Sequence, residues 1–130
     1  PIHVLKISII EDSPIHREWL KAELHNHTEF DVVSIDRYAK SGIQSVKEYQ
    51  PDIVLLDFQL EDMTGLEAAK RINVYDENIK IFMITAHTEI TIIERLIGDK
   101  CIKGLAIKGS QYFADNLKPA IKNIGAGGVY

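Results

Sequence analysis

Asp52-Ile53-Val54-Leu55-Leu56-Asp57 decides the fold. The four apolar residues read as a buried strand, and Asp57 then stands at its carboxyl end. Three other segments repeat the arrangement. The acidic pair Glu11-Asp12 follows Ile7-Ser8-Ile9-Ile10, Thr85 follows Ile81-Phe82-Met83-Ile84, and Lys108 follows Leu105-Ala106-Ile107. In an open parallel sheet the carboxyl ends of the strands share one edge, and ligands bind there. Three carboxylates, one hydroxyl and one ammonium should therefore converge, a set suited to a divalent metal and a phosphoryl group.

Outward from that strand, apolar runs of four to seven residues alternate with stretches of helical period, the pattern of βαβ units. Strands are expected over Val4 to Ile10, Phe30 to Ile35, Asp52 to Leu56, Ile79 to Ile84 and Lys103 to Ile107. Helices are expected over Ile15 to Asn26, Ser41 to Tyr49, Leu66 to Val74, Glu89 to Ile97 and Gln111 to Ile124. Pro14 suits the first turn of the first helix. Ile90, Ile92 and Ile93 weaken the fourth, and Pro119 should kink or split the fifth. Right-handed crossovers turn five β-α units into an α/β three-layer sandwich: a doubly wound, five-stranded parallel sheet in the flavodoxin-like order 2-1-3-4-5.

The chain has 130 residues, 45% hydrophobic and 26% charged, which fits one globular domain. Its formal net charge of −4 argues against a nucleic-acid surface within these residues. The single cysteine, Cys101, allows no internal disulfide and fits a reducing, cytoplasmic setting. No apolar run approaches the ~20 residues of a membrane span, so no membrane role is expected.

Glu11, Asp12 and Asp57 crowd like charges that only a cation relieves, and oxygen-only ligands favour a hard ion such as Mg²⁺. A bland alternative makes Glu11 and Asp12 solvated loop acids, with Asp12 capping the first helix. The second acidic strand end at Asp57 weighs against it. Lys108 read alone is a surface lysine; beside a metal-bound carboxylate it becomes a point charge for phosphoryl oxygens. Thr85 either simply ends a strand or donates its hydroxyl, with the small Ala86 leaving room. His25 and His27 lack metal-site spacing. His3 and His16 have no evident partner, and His87 reads equally as pocket rim or plain loop. Cys101 reads as an idle or buried thiol.

Taken together, Glu11-Asp12, Asp57, Thr85-Ala86 and Lys108 resemble the receiver domain of two-component response regulators. Asp12-Ser13-Pro14-Ile15-His16-Arg17 is similar to the family's acid-x-Pro-x-x-Arg start, and the interval from Asp57 to Gly65, with Met63 inside it, has the family spacing. Lys108-Gly109-Ser110 and the ending Gly125 to Tyr130 resemble the NarL/FixJ (LuxR-type) transcription regulators. The resemblance implies a receiver over residues 1–124 and, over 125–130, the start of a linker to a DNA-binding helix-turn-helix domain. It implies that a sensor histidine kinase phosphorylates Asp57 and that Asp12, Glu11, Asp57 and the backbone carbonyl of Gln59 hold Mg²⁺. Thr85, Ala86 and Lys108 would receive the phosphoryl group, and phosphorylation would favour a homodimer. The chain would be a switch rather than an enzyme acting on a free substrate.

Two positions depart from the family pattern. Glu61 replaces a proline, and with Asp62 it should make the loop more acidic and more mobile. Leu105 replaces an aromatic switch residue, whose cavity it could fill without a polar tip. These departures favour a rival reading, a phosphorylation-independent pseudo-receiver that serves as an interaction module. A small Mg²⁺-dependent phosphotransfer enzyme is the other rival; no cap domain or substrate pocket supports it.

Overall fold

The computed structural model describes residues 4–25, 27–109 and 111–129. Five strands alternate with five helices: β1 (Leu5–Ile10), α1 (Pro14–His25), β2 (Phe30–Asp36), α2 (Ala39–Tyr49), β3 (Ile53–Asp57), α3 (Gly65–Tyr75), β4 (Lys80–Thr85), α4 (Ile90–Ile97), β5 (Ile102–Ile107) and α5 (Gln111–Gly125). The strands form one parallel sheet in the order β2-β1-β3-β4-β5. The doubly wound, flavodoxin-like expectation is therefore correct.

Side chains of a strand alternate between faces, and β3 shows why its whole run is apolar. Val54 and Leu56 join Ile43, Val46, Leu66, Ala69, Ile72 and Leu96 under α2, α3 and α4. Ile53 and Leu55 join Leu20, Leu24, Leu117, Ile121 and Ile124 under α1 and α5. Covered on both sides, β3 has no polar face to offer. Each such aliphatic side chain contributes roughly 1.5–3 kcal/mol by leaving water.

Several departures from the sequence reading have physical causes. Helix α2 begins at Ala39 rather than Ser41 because Asp62, distant in sequence, caps it: Ala39 and Lys40 each donate a backbone N–H to the Asp62 carboxylate at 2.9 Å. The expected first helix reached Asn26, which lies outside the described residues; α1 is described to His25. Helix α5 runs as one element through Pro119, without the expected split. Leu117 before the proline and Ala120, Ile121 and Ile124 after it pack against the same sheet face, so tertiary burial overrides the lost backbone bond. Helix α4 exists but is short, with Leu96 as its one buried residue.

Gly104 lies just after a register shift in β5, where the pairing skips Lys103, yet the strand continues through it. It is buried and pairs in the ladder opposite Phe82. A Cβ there would run into Ile124 Cδ1 and crowd the Phe82 ring. The glycine lets α5 approach β5 closely and is no sign of a soft strand. Among the described residues, no helix is long and apolar enough to cross a membrane.

Candidate functional site

The register aligns the strand ends. Ile10 lies opposite Leu56, Asp57 opposite Ile84 and Thr85 opposite Ile107. Backbone bonds extend the ladders past these ends: Glu11 N–H donates to Asp36, Phe58 N–H to Ile84 and Lys108 N–H to Thr85, at 2.8–2.9 Å. The residues after the strands are thus held as firmly as the sheet. They border a cavity of about 280 Å³ lined by Asp12, Asp57, Gln59, Leu60, Glu61, Ala86 and Lys108.

The Lys108 ammonium bridges two buried acids. Its Nζ lies 2.8 and 2.9 Å from the two Glu11 carboxylate oxygens and 2.9 Å from Asp57 Oδ2. Carboxylate oxygens of Glu11, Asp12 and Asp57 all lie within 4.8 Å of one another. The expected convergence of three acids and one ammonium is found.

Local bonds aim these groups. Arg17 Nη1 donates to the backbone carbonyls of both Glu11 and Asp12 at 2.9 Å, which pins the loop. Ser13, not Asp12, caps α1: its Oγ accepts the His16 N–H at 3.4 Å, while the Ser13 N–H donates to Glu11 Oε2. Asp12 is left to face the cavity. Asp57 Oδ1 accepts the Gln59 N–H at 3.1 Å. Gly65 closes the β3–α3 loop by donating its N–H to the Phe58 carbonyl, and a Cβ at 65 would strike the Asp57 carbonyl oxygen. The spacing from Asp57 to Gly65 is therefore a steric requirement. Thr64 Oγ1 caps α3 by accepting the Glu67 N–H at 3.2 Å.

The charge balance is unfavourable without a further cation. Burial, then the neighbouring Glu11 carboxyl, push the Asp57 carboxyl above its ordinary value of 3.8. Burial and then Asp57 push Asp12 upward too. Burial pulls the Lys108 ammonium down, but its bonds to Glu11 and Asp57 outweigh this, and the net shift is upward. One firmly charged ammonium thus faces three carboxylates. Two like charges about 4 Å apart repel by on the order of 4 kcal/mol at an effective dielectric near 20. A small all-oxygen set of this kind fits a hard divalent cation.

Other expectations change. The Thr85 hydroxyl does not line the cavity; it is buried and accepts the His87 N–H at 2.9 Å. Leu105 packs from β5 against the α2–α3–α4 core layer and lines a separate groove of about 400 Å³ with Tyr112, Phe113 and Leu117. The acidic loop expected to be mobile is tied down, Glu61 by Arg37 at 2.6 Å and Asp62 by the start of α2.

His87 is not among the residues that line the cavity but touches one of them: Nε2 lies 3.0 Å from Gln59 Oε1, Nδ1 lies 3.1 Å from Glu89 Oε2, and its ring stands edge-on to Phe58. His16 lies closer to the site than its sequence suggested, and burial followed by the Lys108 charge lowers its pKa. Burial and Asp99 push the Cys101 thiol up, in line with an idle thiol.

The Asp62 cap gives a direct test. Asp62→Ala should cost about 1 kcal/mol, the usual value of an N-cap, read as a lower urea midpoint. Arg37→Ala, which removes a half-exposed ion pair, should cost well under that.

Comparison with known proteins agrees with this geometry. Residues 7–105 match the response regulator receiver domain. The chain is 29% identical over 126 residues to the transcriptional regulatory protein LnrK of Bacillus subtilis, covering 97% of this chain and 56% of LnrK. It is 26% identical to DegU of Brevibacillus brevis, covering 97% of this chain and 52% of DegU. The chain thus spans about half the length of these relatives. A LuxR-family two-component response regulator from Aurantimonas superposes with a TM-score of 0.87 at 26% identity, covering 97% of this chain and 88% of that one. The isolated receiver of RcsB from Salmonella enterica, at 17% identity, shares the fold with a TM-score of 0.88, over 98% of this chain and 93% of its own. With strand order, converging acids and lysine in agreement, the chain belongs to the response regulator receiver domain family.

Proposed function

We propose that this chain is a phosphorylation-dependent switch of a two-component system, with Asp57 as the phosphoacceptor. The observation that carries the reading is the burial of Asp57 between the Lys108 ammonium and the carboxylates of Glu11 and Asp12. Asp57 attacks the phosphorus of a histidine kinase's phosphohistidine through a carboxylate oxygen. The phosphorus–nitrogen bond breaks, and an aspartyl phosphate forms.

Glu11, Asp12, Asp57 and the backbone carbonyl of Gln59 are the residues that would hold Mg²⁺. When bound, Mg²⁺ neutralises these acids and the charge on the phosphoryl oxygens. Lys108 leaves the Asp57 oxygen and pairs with the phosphoryl group. Ala86, small and exposed at the cavity, leaves space for that group. Thr85 Oγ1, which accepts from His87, would turn toward the cavity to donate to a phosphoryl oxygen. Little covalent work falls to the protein in such a transfer; positioning and charge neutralisation carry most of it.

The new charge of up to about −2 would bias the β4–α4 loop, whose end is fastened by the Thr85–His87 bond, and the α4–β5–α5 face. That face, or α1 with α5, would then pair two copies. DNA would be reached only through further chain of the kind carried by the LuxR-type relatives.

The deciding experiment is intact mass after incubation with acetyl phosphate and Mg²⁺, with and without EDTA. One phosphoryl group added only in the presence of metal supports the reading. No addition to folded protein from either acetyl phosphate or phosphorylated kinase overturns it in favour of a phosphorylation-independent interaction module.

A further inference from the structure

A second concavity lies away from the acidic cavity, between α2 and α3. It is a groove of about 580 Å³ lined by Lys40, Ile43, Gln44 and Lys47 from one helix and Glu67, Lys70, Arg71 and Val74 from the other. Each helix contributes positions i, i+3, i+4 and i+7, so two continuous stripes face each other across the groove. At about 1.5 Å per residue each stripe runs about 10 Å, or two helical turns.

Four cations and one carboxylate edge this groove in a chain whose net charge is −4. Elsewhere some cations stand in solvent as Lys40 and Lys70 do, while others meet carboxylates, Lys118 with Glu23, Lys122 with Glu29 and Arg37 with Glu61. In the groove only Arg71 does so, through an exposed 3.4 Å contact with Glu67. Among the described residues, Lys40 and Lys70 form no ion pair. Lys47 is fixed over the Tyr75 ring at 5.6 Å, and Tyr75 Oη donates to the Lys47 carbonyl. The floor is apolar at Ile43, and Val74 is 87% exposed on the rim. The groove therefore carries more cations than carboxylates, with Glu67 inside it and Asp62 beside Lys40, and has apolar surface at Ile43 and Val74.

We propose that the α2–α3 groove docks a short acidic segment of a partner protein, with carboxylates on Lys40, Lys47 and Lys70 and an aliphatic side chain between Ile43 and Val74. Charge and shape favour peptide over nucleic acid. The positive stripe ends after two turns, which suits a short segment better than a long polyanion. The groove lining holds no aromatic ring, and Tyr75 beside it already carries Lys47 over its face, which leaves no open platform in the groove for stacking a base. The groove shares no lining residue with the cavity around Asp57, so the inference stands apart from the phosphoacceptor reading.

The test is fluorescence anisotropy with a fluorescein-labelled oligoglutamate peptide carrying two spaced leucines, at physiological and low salt. Saturable binding should weaken by at least about tenfold in Lys40→Glu/Lys70→Glu, since charge reversal turns attraction into repulsion. Val74→Ser should weaken the leucine-bearing peptide and leave a leucine-free peptide unchanged. Lys118→Gln and Asp57→Asn should bind as wild type does, and the Asp57→Asn result separates this surface from the phosphoryl site. The proposal is overturned by absence of saturable binding, or by equal binding to the charge-reversed variant. It is also overturned if an oligonucleotide of matched charge binds more tightly through the same lysines, or if sedimentation shows that these residues hold two copies of the chain together.

Discussion

Asp57→Asn abolishes phosphoryl incorporation and at the same time raises the stability of the metal-free protein. The first effect follows from chemistry: an amide oxygen is no nucleophile at neutral pH, and the other carboxylates that face the cavity lack Asp57's contact with Lys108 at its rim. The second follows from electrostatics. Burial and Glu11 raise the Asp57 pKa in the folded chain, so folding disfavours its ionised form. Stability attributable to this group is greatest below its ordinary value of 3.8 and falls as pH rises through the folded value. At neutral pH the ionised group is a liability, and asparagine removes it.

Lys108 is not orphaned by the change, because it keeps both Glu11 oxygens. Without metal, the melting temperature should rise by roughly 3–6 °C, the shift that about 1 kcal/mol gives in a domain of this size. Added Mg²⁺ should stabilise wild type and do far less for the variant. Scanning calorimetry in EDTA and in Mg²⁺ reads both effects, and intact mass reads the first. A less stable Asn variant in EDTA would show that the Lys108–Asp57 pair outweighs the crowding. Retained stoichiometric phosphorylation would sink the assignment of Asp57.

What could be read from the sequence was whatever depends on strand ends. A buried parallel strand announces itself by an uninterrupted apolar run, and the residue after it must fall on the ligand-binding edge. Glu11, Asp57 and Lys108 were found in this way: register brings them to one edge, and local bonds then aim them at one another. What could not be read depends on contacts between distant segments. The start of α2 is set by Asp62, over twenty residues on. Glu61 looked like a loosening substitution because its partner, Arg37, lies in another loop.

The need for glycine at 104 is also hidden, because the Ile124 side chain that fills the space belongs to α5. The direction of the Thr85 hydroxyl depends on a backbone N–H two residues later, which apolar patterning does not encode. The basic stripe between α2 and α3 has the same character: its periodicity is local to each helix, but its meaning appears only when the helices lie side by side.

Lys108→Ala should separate metal binding from signalling. The ammonium is 10% exposed and contacts acids that are 2% and 3% exposed. Its loss leaves Glu11, Asp12 and Asp57 within 4.8 Å of one another with no cation among them. Leaving one side of a buried pair uncompensated typically costs about 3–5 kcal/mol, and that loss is expected in EDTA at neutral pH. Without the ammonium the already raised pKa values of the Asp12 and Asp57 carboxyls are pushed further up. Stability should therefore recover as pH falls through them, opposite in sign to the usual behaviour of a salt-bridged acid. Mg²⁺ should restore most of the lost stability at neutral pH, since it faces three acids with no competing ammonium.

Asp57 remains available, so phosphorylation should persist, slowed by the loss of one positive charge at the phosphoryl oxygens. What should vanish is the link to β5. Lys108 follows that strand directly, and on the proposed reading it would be the residue through which a phosphoryl group on Asp57 pulls on it. Denaturant melts with and without Mg²⁺ test the first half. Sedimentation of phosphorylated wild type and variant tests the second: equal stability in EDTA would refute the charge argument, and equal dimerisation after phosphorylation would refute the role of Lys108 as the coupling residue.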